Sequence, residues 1–278
     1  MPIVVMRRIA RTAEYQPILS ITRTLNVGSR GDLVRLAQEW LCLSGVPVAL
    51  DGRFGPATEQ AVRDFQRGTG ILAVTGAIDP VTFGMLVRPM IEALRIITIP
   101  PGERPSLADL VVTYAQQHLQ QKAKEVGGQN RGPWVRLYLK GHERTDDAVA
   151  PSKWAWCAGF ASTVMRQAAQ TLGARPPFDY DWNCNGLAEK ARASKRFVRG
   201  SQVRAAPDRI ALGSLMLIPK KSNPKYYHHT GIVVQIGDGF VRTIEGNSTE
   251  ENDTVPYGHE VAVVRRAFGN LDFINLGG

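Results

Sequence analysis

Hydrophobic spacing splits this chain into a helical first part and a last quarter that alternates. Leu33, Leu36, Ala37, Trp40 and Leu41 recur at three- and four-residue steps, the spacing of one buried helix face. Asp32 is a candidate N-cap before this run, and Gly45 stops it. Asp51-Gly52-Arg53-Phe54-Gly55-Pro56 then reads as a turn. A second helical run, Ala57 to Gln66, puts Ala61, Val62 and Phe65 inside, with Thr58 as a candidate cap. Gly70 ends it, Thr75 to Pro80 makes another turn, and Val81 to Leu86 opens a third helix. A helix–turn unit thus recurs at roughly 24–28 residues; one unit is too small to bury its apolar face, but two share a core.

Residues 1–24 lack a clear period and read as a poorly ordered lead-in to a first domain at 25–90. Residues 91–106 read as a linker stiffened by Pro100, Pro101 and Pro105. The second domain, 107–278, opens on Ser106 and Asp109, spaced as a capping box. A loop carrying Asn130 and Arg131 precedes a short helix around Val135 to Leu139. Positions 157, 160, 161, 164, 165, 168 and 172 then give one face of a longer helix. Beyond Gly213 the period becomes two: Ser214–Pro219, His229–Ile236, Phe240–Glu245 and Glu260–Arg265 read as strands, with Gly237-Asp238-Gly239 as a hairpin turn. Helices followed by hairpin-linked strands predict an α+β domain with an antiparallel sheet.

Composition adjusts this picture in three ways. A net charge of +9 points to an anionic partner. Ten basic residues stand from Lys190 to Lys225 against one acid, Asp208, but aromatics do not interleave with them in the manner of single-strand binders, so nucleic acid is not expected. No apolar run reaches the ~18 residues of a membrane span. The three cysteines, Cys42, Cys157 and Cys184, make neither a disulfide framework nor a zinc spacing, so no metal or other cofactor is expected. Cys42 reads as core; Cys184, in Trp182-Asn183-Cys184-Asn185-Gly186, is either cleft-facing or incidental, and the incidental reading is preferred. Met1 to Arg8 does not read as a secretory signal, because its apolar segment precedes the basic pair.

The candidate chemistry lies around Trp154-Ala155-Trp156-Cys157. A cysteine in the first turn of a helix has its thiolate favoured by unpaired N–H groups and the helix dipole. A base is needed, and His228-His229 offers two that alternate across a strand. Glu245 and Asn247 lie two residues apart, and either could orient an imidazole. Trp156, Tyr227 and Asn130 are candidate substrate-binding residues.

Two resemblances sharpen these readings. Gly28, Leu33 to Leu43, Asp51 to Thr58, Ala61-Val62, Phe65-Gln66, Gly76 and Thr82 to Leu86 resemble a small three-helix peptidoglycan-binding domain. Thr75 and Asp79 depart from its usual second turn, where an Asp and a Gly are common. Trp156-Cys157-Ala158-Gly159-Phe160, His229-Thr230-Gly231-Ile232-Val233 and Glu245-Gly246-Asn247-Ser248 resemble a CHAP-type, papain-like cysteine hydrolase; Glu125 to Asn130 resembles that family's leading segment. The resemblance implies Cys157 as nucleophile, His229 as base, Glu245 as the group orienting it and Asn247 as a supporting residue. It further implies a monomeric peptidoglycan hydrolase, either an amidase at the N-acetylmuramoyl-L-alanine bond or a stem-peptide endopeptidase. A protease or deamidase acting on proteins, and a catalytically silent wall-binding module, are the rivals. Without a cleavable signal, the chain is expected to be made in the cytoplasm and to reach periplasm or wall by holin-type release or a secretion machine.

Overall fold

The structure, a computed structural model, describes residues 16–70, 73–249 and 258–277. Residues 1–15, most of the expected lead-in, lie outside these. Contacts divide the chain into two compact units. Residues up to Arg95 join Lys124–Asp147 in one; Ile96–Ala123 joins the chain from Ala148 onward in the other. The segment 124–147, expected in the second domain, therefore belongs with the first.

The first unit holds helices α1 (Asp32–Leu43), α2 (Pro56–Thr69), α3 (Pro80–Leu86), α4 (Arg88–Ala93) and, from the later segment, α6 (Pro133–Tyr138). Residues 16–24 are not a loose lead-in: Gln16–Leu19 is helical, and Leu19 and Ile21 are buried. The helices begin earlier than the caps expected from sequence, by one residue at α1 and three at α2. Gly31 and Gly55 precede α1 and α2, and Thr58 is buried instead of capping.

The repeat has a polar cause as well as an apolar one. Gln38, buried in α1, donates to Asp51 Oδ1 at 2.9 Å and accepts from the Gly52 N–H at 2.9 Å. Gln66, buried in α2, donates to Thr75 Oγ1 at 3.2 Å and accepts from the Gly76 N–H at 2.9 Å. Gly52 and Gly76 sit at φ 68° and 76°, where a side chain would be strained. Each helix thus satisfies the backbone of the turn that follows it. Thr75 stands in for Asp51, while Asp79 caps α3 by accepting from Thr82 N at 2.7 Å, which accounts for both departures in the second turn. Segment 124–147 adds an ion cluster to this unit: Arg136 donates to Glu39 at 2.5 Å and to Glu143 at 2.8 Å. Trp134 meets Trp40 edge to face.

The second unit opens on α5 (Leu107–Gln120), whose Ser106–Asp109 capping box is formed. Ile96 and Ile97 belong here, the Ile97 N–H donating to Tyr114 Oη at 3.0 Å, so the expected linker is partly integral to this unit. Helices α7 (Cys157–Thr171), α8 (Cys184–Ala193) and α9 (Gly200–Ala205) follow. The sheet comprises β1 (Phe197–Val198), β2 (Leu215–Lys220), β3 (Asn223–Gly237), β4 (Phe240–Ser248), β5 (Glu260–Ala267) and β6 (Asp272–Ile274). Their order is β1-β6-β2-β3-β4-β5, and every pairing is antiparallel. The expected hairpin turn joins β3 to β4. Two short strands, β1 and β6, were not expected from sequence.

Helix α7 packs against α5, β3 and β4. It is buried almost all round, not on one face as the spacing predicts: Ala158, Gly159, Ser162, Thr163 and Ala169 are covered too, while Leu172, just past its end, is 37% exposed. Small side chains let neighbours close on every side. Burying Phe160, Val164 and Met165 contributes about 1.5–3 kcal/mol each, so the helix carrying the cysteine is held firmly along its length.

Candidate active site

Cys157 is the first residue of α7, with Trp156 before it. A helix leaves its first four N–H groups without an intrahelical acceptor, so a thiolate here sees partial positive charge. The Trp156 N–H is already committed, donating to Asn247 Oδ1 at 2.9 Å. The Cys157 thiolate is held by three further groups: the thiol of Cys184 at 3.7 Å, the imidazole of His229, and the backbone N–H of Thr230.

His229 leads from β3 to Glu245 on β4, with Nε2 and Oε2 2.7 Å apart. Gly231 makes this approach feasible. A Cβ there would lie 2.5 Å from Glu245 Cγ. Glu245 is fully buried and richly bonded. Arg266 of β5 grips both its oxygens, Nε to Oε1 at 2.9 Å and Nη2 to Oε2 at 2.6 Å. Thr243 donates to Oε1 at 2.6 Å and Ser248 to Oε2 at 3.1 Å.

These contacts set the charges. The bond from Cys184, followed by the attraction of His229, holds the Cys157 thiol well below its ordinary pKa. Burial alone would pull His229 down, but the Cys157 thiolate and the Glu245 carboxylate outweigh it and raise the imidazole to about 10. Burial opposes ionisation of Glu245 too, yet His229 and Arg266 keep it well below the usual carboxylate range. The resting site is therefore a thiolate–imidazolium pair backed by a carboxylate and an arginine. Such a pair can attack an acyl carbon and then move a proton to the leaving group.

Residues 30–86 match the family model of a peptidoglycan binding domain, and residues 149–247 match that of the CHAP domain. The chain carries a peptidoglycan-binding domain followed by a CHAP domain. Over 68 residues it is also 43% identical to a zinc D-Ala-D-Ala carboxypeptidase of Streptomyces albus G. That match covers 23% of this chain and 26% of the relative, so the chain spans about a quarter of the curated protein it resembles. Among the described residues no group of three or more His, Cys, Asp or Glu is placed to hold a metal ion.

All four residues assigned from the resemblance lie within the CHAP match, and the structure brings three of them into one chain of contacts: Cys157, His229 and Glu245. His228 is exposed and burial lowers its pKa; it takes no part. Asn247 does not share the role of Glu245. A register shift in β4 and a left-handed φ of 54° turn it to the Trp156 N–H and, through Nδ2, to the Gly258 carbonyl at 2.6 Å. It fixes the turn that presents the cysteine.

The three candidate substrate-binding residues are not brought to the CHAP pair as walls. The Trp156 side chain is fully buried. Tyr227 is buried and donates to Asp272 at 2.7 Å. Asn130 is buried in the first unit at φ 57°. The supposed leading segment, Glu125 to Asn130, lies there too, outside the CHAP match.

Arg266, Thr243 and Ser248 carry site contacts that sequence reading does not assign, and Cys184, for which the incidental reading is preferred, lies against Cys157. For Cys184 a signal existed: Asn183 caps α8, accepting from Asn185 N at 2.8 Å, so Asn183-Cys184 reads as a second cysteine at a helix start. Arg266 lies opposite Val241 in the β4–β5 register and reaches along the sheet to Glu245. It falls beyond the CHAP match.

Proposed function

We propose that the chain is a peptidoglycan hydrolase that cuts an amide bond by cysteine catalysis. The observation that supports this most is the Cys157–His229–Glu245 series at the start of α7. In this reading the Cys157 sulfur attacks the amide carbon and forms a thioester. The developing oxyanion faces the Cys157 N–H at the helix start. His229 gives its proton to the departing amine, so the C–N bond breaks. It then takes a proton from water, which attacks the thioester and frees the cysteine. Glu245 holds the ring throughout, and Arg266 holds Glu245.

The peptidoglycan-binding domain supports the choice of substrate, because a docked chain meets wall peptides at high local concentration. The partial likeness to a protein named as a D-Ala-D-Ala carboxypeptidase agrees with it. The bond is the N-acetylmuramoyl-L-alanine link or one in the stem peptide. Action on the wall implies passage to the periplasm or cell surface, through a holin-type pore or a secretion machine.

Digestion of purified peptidoglycan, with mass analysis of the fragments and their new amino termini, tests both the substrate and the bond. Wild type should release fragments with one new amino terminus per cut, and Cys157→Ala should release none. Equal release by the variant would sink the cysteine mechanism. Release by neither, alongside cleavage of a protein substrate, would favour a protease.

A further inference from the structure

The mechanism above gives Cys184 no chemical step, yet its sulfur lies 3.7 Å from that of Cys157. Both residues open a helix, Cys157 in α7 and Cys184 in α8. Both are buried, at 2% and 6% exposure, and both are unpaired thiols in this structure. The third cysteine, Cys42, lies in the other unit, its sulfur engaged by the Val48 backbone at 3.3 and 3.4 Å. A stabilised thiolate with a second thiol in van der Waals reach is the arrangement of a nucleophile and its resolving partner.

We infer that Cys157 and Cys184 form a reversible oxidation site in which a hydroperoxide converts the nucleophile to a disulfide and a reductant restores it. The inference rests on the proposed role of Cys157 only in that oxidation removes the nucleophile. In the first step the Cys157 thiolate attacks the distal oxygen of the hydroperoxide. An S–O bond forms, the O–O bond breaks, and the alkoxide or hydroxide leaves and takes up a proton. Cys157 is then a sulfenic acid. In the second step the Cys184 sulfur attacks the Cys157 sulfur. The S–S bond forms, the S–O bond breaks, and the departing hydroxide takes the Cys184 proton and leaves as water. Two thiols lose two electrons and two protons, and the hydroperoxide is reduced by the same two electrons.

The partner also protects. A sulfenic acid with no resolving thiol goes on to sulfinic acid, which common reductants do not reverse. Cys184 sits close enough to intercept it, and its burial keeps larger thiols from competing.

The test uses the full chain and a mass readout that needs no wall substrate, so it stands apart from the proposed hydrolase activity. The reduced protein is treated with a small excess of hydrogen peroxide, quenched with an alkylating agent, and digested without reductant. The expected product is a peptide pair joined through Cys157 and Cys184 that dithiothreitol separates. In Cys184→Ser the same treatment should leave Cys157 as sulfinic acid, 32 Da heavier by two oxygens, and dithiothreitol should not restore its alkylation. If the Ser variant fails to fold, the wild-type joined peptide decides alone. Wild type that accumulates sulfinic Cys157 with no joined peptide would overturn the inference.

Discussion

Each unit of this protein buries a glutamate against an arginine, and the two pairs do different work. Glu39 meets Arg136 at 2.5 Å and Arg35 at 3.4 Å, and Arg136 is shared with a second carboxylate, Glu143. Nothing in that cluster changes charge in a reaction; it ties segment 124–147 to the helices. Glu245 meets Arg266 at 2.6 Å but is shared with His229 at 2.7 Å. There the Cys157 thiolate and the carboxylate keep the imidazole charged, and the imidazolium and the arginine keep the carboxylate charged. The same pair of residue types is thus a clamp in one unit and a bias on protonation in the other. What separates them is the third partner.

Replacing the two glutamates in parallel breaks this comparison most sharply. Glu245→Gln should lower kcat by about 10²–10⁴, in line with loss of the acidic member of a serine-protease triad. The rate is measured per folded molecule on a soluble wall fragment; a drop of less than tenfold would reduce Glu245 to packing. Arg136→Met should act on stability instead. It leaves the buried Glu39 with only the 3.4 Å contact to Arg35 and Glu143 with only the Gly132 N–H, and should cost the first unit about 3–5 kcal/mol. Chemical denaturation reads the loss, while turnover on the same soluble fragment stays at the wild-type rate.

A pH effect comes next. His118 is fully buried, bonded to Gln167 Oε1 at 2.8 Å, and burial lowers its pKa to about 4. The unfolded chain binds this proton near pH 6.5, so the neutral form favours folding above that value. The contribution is lost as pH falls toward 4, to the extent of about 3 kcal/mol. Denaturant midpoints at pH 7 and 4.5 should differ more in wild type than in His118→Gln; equal differences would remove His118 from the acid response. The smallest effect concerns the repeat. Gln66→Leu strips the Gly76 N–H of its acceptor and Gln38→Leu does the same to Gly52, each at about 1–3 kcal/mol. Losses that differ severalfold between the two would show that the repeat is one of shape alone.

The local parts of the fold were legible. Helices α1, α2, α3 and α6, the Ser106 capping box and the β3–β4 hairpin follow from period, cap and turn chemistry within a few residues of one another; α4, at the edge of the expected linker, and the Gln16–Leu19 helix do not. The strands β1 and β6 were not: each is short, and their pairing joins Phe197 to Ile274 across most of the second unit. Segment 124–147 was assigned by its position in the chain, whereas Arg136 and Trp134 place it by side chains that meet α1. In the site, Cys157 and His229 announced themselves by type and surroundings. Glu245 and Asn247 looked alike, because two-residue alternation does not foresee the shift that turns Asn247 away. Cys184 and Arg266 needed the packing of α8 and the register of β5.

The path of the chain between the units bears on how such a protein can be recombined. It leaves the first unit at Arg95, contributes α5 to the second, returns for 124–147, and leaves again at Asp147. One crossover in the expected linker would therefore separate neither part whole. A binding half taken from 1–95 would leave Glu39 without Arg136. A catalytic half taken from 107 onward would carry Arg136 and Trp134 with no α1 to meet them. Exchanging the wall-binding half for another requires two junctions, one before α5 and one near Ala148, or a graft that carries 124–147 along with it.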